Sequence, residues 1–131
     1  MSGPVHGVPG APLPAIVRFD PPAQGGVIDH PKPERLQQGN PRRETWTLYE
    51  SADGQTSAGI WACEVGRWRI VFPADKEEYF FVLSGHVRLH DTAGGWVDVR
   101  AGEGAVIPAG FEGAFEVIEP VRKHFVVVDR G

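Results

Sequence analysis

Between Asp53 and Gly110 the chain is broken by six glycine-bearing pairs: Asp53-Gly54, Val65-Gly66, Ser84-Gly85, Gly94-Gly95, Ala101-Gly102 and Ala109-Gly110. Turn signals this closely spaced leave room only for short segments. The intervening stretches alternate or are rich in aromatic and β-branched residues, which predicts strands over residues 45–50, 59–64, 68–72, 79–83, 87–91, 96–100, 105–107, 113–118 and 121–128. No window carries a helical period with caps. Many short strands at regular spacing predict an all-β protein, a sandwich or barrel with antiparallel strands.

Proline sets the other boundary. Nine of the 12 prolines fall before residue 46, and only Pro73, Pro108 and Pro120 lie beyond. Proline cannot donate to a sheet ladder, so residues 1–41 read as an N-terminal extension and residues 42–131 as the barrel. The first dozen residues are expected to lie loosely on the surface. Residues 15–20, AIVRFD, are the exception and suit an edge strand, on this chain or on a neighbouring subunit. A length of 131 residues fits one domain.

Alternation assigns faces. Trp68, Ile70 and Phe72 share one side of their strand. Glu78, Phe80 and Val82 share a side of the next, with Tyr79, Phe81 and Leu83 opposite. Both sides of that strand are apolar, which predicts cover on both, the outer one by a partner subunit in a homodimer. Near the C-terminus Val121, Lys123, Phe125 and Val127 lie together.

Composition narrows the function classes. A net charge of −4 with scattered basic residues argues against nucleic acid as a partner. The single cysteine, Cys63, excludes an intrachain disulfide and a multi-cysteine zinc site. The opening MSGPVHGVPGAPLP lacks the pattern of a secretory signal, and no run is long and apolar enough to span a membrane. A cytoplasmic protein with no membrane partner is expected. There is no nucleophile elbow, phosphate-binding loop, dinucleotide fingerprint or HExxH.

Gly66, Glu78 and Gly85, followed by Gly102, Pro108 and Gly110, stand at the spacing of the two cupin motifs. With SAGIWACEVG at 57–66, EEYFFVLSGHVRL at 77–89, IPAGFEGAFEV at 107–117 and EPVRKHFVV at 119–127, the chain resembles the cupin subgroup of ureidoglycine aminohydrolase and the ethanolamine-utilisation cupin over residues 42–128. The resemblance implies a jelly-roll β-barrel. It also places the usual metal-binding histidines at Phe72, Ala74 and Gly113, leaving Glu78 alone of the ligand set. One carboxylate does not hold a transition metal, so no metal or other cofactor is expected.

Two residues are candidates for catalytic or binding chemistry. Glu78 is either a pocket carboxylate or a rim charge. Lys123, alternating with apolar residues, either points inward, where it needs a partner, or reaches solvent along a buried stem. Their simplest joint reading is a Glu78–Lys123 pair inside the barrel. Trp61, Trp68, Phe72, Phe80, Gly113 and Phe115 are the candidate ligand pocket or else simple core, with Phe72 and Gly113 expected to face the cavity. His86, Arg88 and His90 alternate on one side and read as a solvated face, or as an anion or partner site. Cys63 reads as an inert buried thiol. Arg42 and Arg43 suit anchoring of the extension or a carboxylate ligand.

The function these residues support is metal-independent binding of a small molecule. An enzyme of hydrolase or isomerase type acting on a small polar metabolite, and a purely structural barrel, are the alternatives.

Overall fold

The computed structural model describes residues 12–131. The expectation for the first dozen residues therefore falls, Pro12 apart, outside the described range.

The described chain is all β. Its strands are β1 (Val27–Asp29), β2 (Leu36–Gln38), β3 (Arg43–Glu50), β4 (Thr56–Cys63), β5 (Gly66–Val71), β6 (Lys76–His90), β7 (Trp96–Arg100), β8 (Gly104–Ile107) and β9 (Glu112–Asp129). A single 3-10 turn, Pro33–Arg35, interrupts the opening segment. The main sheet runs β1-β3-β4-β9-β5-β2, and β6 lies along β9 while pairing β7 with one half and β8 with the other. Every pairing is antiparallel. The long strands β6 and β9 serve both halves of the curled sheet, which closes around Phe80, Val82, Val87, Phe115, Val117 and Val121.

Two corrections concern β6 and β9. Ser84-Gly85 does not end a strand. Gly85 takes φ 93°, and a Cβ there would overlap the Pro120 carbonyl, so the glycine is spent on a bulge rather than a turn. The β6–β9 register slips between Val82 and Val87, and Pro120 sits at the same irregularity, where its missing donor does least harm. The segments predicted over 79–83 and 87–91 are thus one strand, as are 113–118 and 121–128.

The extension contributes β1 and β2, which occupy the two ends of the main sheet, where neighbouring prolines are tolerated. Pro41 is fully buried against Gly66, where a Cβ would come within 2.6 Å of the proline ring. Residues 15–20 form no strand among the described residues. Phe19 sets its ring edge against His124 at 5.0 Å, while Ile16 is 94% exposed.

The inward set Phe80 and Val82 is fully buried. On the opposite side of β6, Tyr79 and Leu83 remain open in the single chain, at 46% and 39% exposure. Among the described residues no helix is long and apolar enough to cross a membrane.

Candidate functional site

The space between the two halves of the sheet is a cavity of about 220 Å³ with an apolar lining. Strand β3 contributes Arg43 and Thr45, β4 contributes Trp61, β5 contributes Ile70, and the residue after β5 is Phe72. Glu78 comes from β6, Ile107 from β8, and Phe115, Lys123, Phe125 and Val127 from β9. Register explains the convergence. Thr45 pairs with Trp61, Trp61 with Lys123, and Glu78 with both Val127 and Ile107, so residues paired directly across five neighbouring strands share the inner face.

Lys123 is 4% exposed, the one charged residue in the buried set of the described chain. Its Nζ donates to Glu78 Oε2 at 2.7 Å. The ammonium also lies 4.5 Å from the centroid of Trp61, 4.4 Å from that of Phe80 and 4.9 Å from that of Phe115. A buried ammonium survives only if its lost hydration is replaced, and here one carboxylate and three ring faces do so. No hydrogen bond reaches Glu78 Oε1 among the described residues. That oxygen belongs to a side chain on the cavity wall and remains free to accept from a ligand.

Arg43 stands at the side of the cavity, with its guanidinium 5.3 Å from the Trp68 ring centroid. It is held by Asp29, with Nε donating at 2.9 Å and Nη2 at 2.7 Å, so a residue of β1 orients it. Arg42 points elsewhere and pairs with Glu44 at 3.6 Å.

Of the residues singled out in the sequence, Trp61, Phe72, Glu78, Phe115 and Lys123 line the cavity together. Trp68, Phe80 and Gly113 do not. Trp68 is buried behind Phe115, stacked on it at 5.2 Å, and Phe80 is fully buried in the layer beneath Lys123. A Cβ at Gly113 would overlap the His90 carbonyl, so this position is a close backbone approach rather than an open wall. Thr45 and Ile107 were not recognised in the sequence. Thr45 lies two residues from Arg43 on the same face, a signal present in the alternation of β3.

The expected solvated face is also corrected. The side chains of His86 and His90 are only 12% and 13% exposed. His86 Nε2 lies 2.7 Å from Asp98 Oδ1, and the same oxygen accepts from Arg88 Nε at 2.9 Å. His90 Nε2 lies 2.8 Å from Glu116 Oε1. Register puts these partners side by side, Arg88 facing Asp98 on β7 and Glu116 on β9. The hydrogen bonds from Arg88 and His86 hold the Asp98 carboxyl down at about 2. Cys63 is buried, and burial pushes its thiol up to about 12, so it is no nucleophile at neutral pH.

A transition metal does not fit the residues present. The positions implied for histidine carry a ring, a methyl and no side chain, and the surviving Glu78 is engaged by an ammonium. Among the described residues no three histidine, cysteine or carboxylate side chains converge.

A family model described as the EutQ-like cupin domain matches residues 50–125. The chain belongs to the EutQ-like cupins. This cupin superposes on a protein of unknown function from Pseudomonas syringae with a TM-score of 0.69 at 20% identity, over 79% of this chain and 45% of that one. It therefore spans less than half the length of the Pseudomonas protein. The ethanolamine utilization protein Q of Salmonella typhimurium gives a TM-score of 0.59 at 21% identity, over 68% of this chain and 71% of that one. The EutQ protein of Clostridium difficile gives 0.59 at 21%, over 72% and 75%. At these identities the likenesses speak for the jelly-roll fold alone. No curated protein matches the chain.

Proposed function

We propose that this cupin binds a small organic molecule inside its barrel, without a metal, using the Glu78–Lys123 pair as the polar anchor of an otherwise apolar cavity. The observation that carries the reading is the free Oε1 of Glu78 on a cavity wall whose other members are mostly rings and aliphatic chains. Small-molecule sites have this make-up, an apolar lining with few placed polar groups. A ligand of about ten heavy atoms that donates one hydrogen bond to Glu78 and packs on Trp61 and Phe115 fits the space. Trp61 lines the cavity, so its fluorescence reports occupancy. Titration of small aromatic alcohols and amines, followed by Trp emission and by calorimetry, tests the reading. Saturable binding lost in Glu78→Gln supports it, and the absence of any binding overturns it.

The same reading includes a homodimer formed by a second copy of this chain. Tyr79 and Leu83 are exposed on the outer face of β6, and Phe81 beside them pairs in register with His124. Phe19 rests on that same His124, so the segment carrying exposed Leu13, Ile16 and Val17 departs next to this face. One chain thus offers both an apolar face and an apolar arm, the self-complementary arrangement of a two-fold interface.

A further inference from the structure

Beside the cavity lies a second depression of about 360 Å³, walled in part by Lys32, Arg35, Arg43, Arg69 and Lys76. These are five of the chain's 13 basic residues, and no carboxylate belongs to the wall. The concentration is unexpected in a protein of net charge −4. Two of the five are partnered from outside, Arg43 by Asp29 at 2.7 Å and Arg69 by Glu112 at 3.4 Å. Among the described residues Lys32, Arg35 and Lys76 have no carboxylate within salt-bridge distance; Glu34 next to them stands outside the wall.

The depression and the cavity abut. Arg43, Ile70 and Phe72 belong to both. Two cations lean on aromatic rings at this boundary, Arg43 on Trp68 at 5.3 Å and Lys76 on Phe72 at 5.2 Å. The 3-10 turn Pro33–Arg35 carries Arg35 and is set by β2, which pairs with β5, so the extension builds one side of the depression.

We infer that the ligand is an amphipathic organic anion, with an apolar or aromatic body in the barrel cavity and a phosphate or carboxylate head in the cationic depression. This rests on the cavity reading above and adds the charge of the ligand and the residues that select it. Unpaired cations around a concave, partly apolar surface raise the local concentration of anions and recognise an oxyanion by charge-assisted hydrogen bonds. The aromatic backing holds Arg43 and Lys76 in place before a ligand arrives, which lowers the ordering cost of binding. A doubly charged head fits three unpaired cations better than a single charge.

The test is calorimetric titration of the full chain with 4-(hydroxymethyl)phenyl phosphate, 4-(hydroxymethyl)phenylacetate, benzyl alcohol and inorganic phosphate, beside the triple variant Lys32→Gln/Arg35→Gln/Lys76→Gln. The three organic probes share the hydroxyl that donates to Glu78 and differ in the head. The three positions are at the surface or half-buried outside the core, and a thermal melt verifies that the variant folds. The aryl phosphate is expected to bind best, the arylacetate less well, and the variant to weaken the aryl phosphate about tenfold or more while leaving benzyl alcohol unchanged. The inference is overturned if the aryl phosphate binds no better than benzyl alcohol, or if the folded variant binds it as well as the parent. Inorganic phosphate binding as tightly as the aryl phosphate also overturns it, since the depression would then act without the cavity. Should benzyl alcohol bind while the phosphate head adds nothing, the cavity reading stands and only this inference fails. If none of the probes binds, both fail.

Discussion

Lys123 and Glu78 meet at 2.7 Å inside the barrel, 45 residues apart in sequence, with the ammonium facing three aromatic rings. Breaking a buried pair from one side leaves an uncompensated charge, at a cost of about 3–5 kcal/mol. Glu78→Ala strands an ammonium that is 4% exposed, so it is expected to lose stability by about that amount, moderated by the rings. Lys123→Met with Glu78→Gln removes both charges and should recover most of the loss. Urea denaturation of Glu78→Gln, Lys123→Met and the variant carrying both measures the coupling; a coupling near zero would contradict the pair's burial.

Asp98 gives the fold an acid limit. Its carboxyl is held at about 2, below its ordinary value of 3.8, by Arg88 and then His86. A depressed carboxylate contributes stability above the unfolded value and loses it as pH falls through the folded value. Asp98→Asn is therefore expected to lower the melting temperature at pH 6. The gap between parent and variant should shrink as pH drops from about 4 to about 2, an interval set by the two values. A gap that stays constant over that interval would show that the Arg88–Asp98–His86 cluster does not supply it.

Gly85 is the residue that lets β6 bend. Its φ of 93° and its contact with the Pro120 carbonyl leave no room for a side chain. Gly85→Ala is expected to cost more than the roughly 1–3 kcal/mol of backbone strain alone, because the β9 backbone must also move. Gly94, also at positive φ but with open space around it, is the control; Gly94→Ala should cost only the strain. Thermal melts of the two variants rank them.

The proposed dimer has a direct readout. Light scattering after size exclusion is expected to give twice the chain mass of 14.3 kDa. Tyr79→Lys with Leu83→Glu should give monomers that keep the parent's near-ultraviolet circular dichroism, because both side chains point away from the core. A monomeric parent would remove the dimer from the proposal.

Much of the barrel is written in local alternation. The inward sides of β6 and β9 follow from Glu78, Phe80, Val82 and from Val121, Lys123, Phe125, and their union at Lys123 and Glu78 follows from facing those two sides. What alternation does not carry is depth. Trp61 and Trp68 look alike in sequence, yet Trp61 meets the cavity and Trp68 lies behind Phe115, a difference made by the curl of the sheet. Nor does a glycine announce its use. Ser84-Gly85 has the composition of a turn, and only the β9 backbone beside it makes it a bulge. Likewise the polar alternation of His86, Arg88 and His90 resembles an exposed side because their carboxylate partners, Asp98 and Glu116, come from other strands.

The burial of Pro41 against Gly66 also bears on where this barrel begins. Composition suggests a seam at residue 42, but the proline on one side of that seam is packed into the glycine on the other. β1 and β2, both ahead of it, cover the flanks of β3 and β5. Residues 27–41 are the rim that closes the vessel. A chain trimmed there would bare two strand edges, lose Asp29 from Arg43 and Arg35 from the cationic depression, and so lose the mouth of the site along with its border.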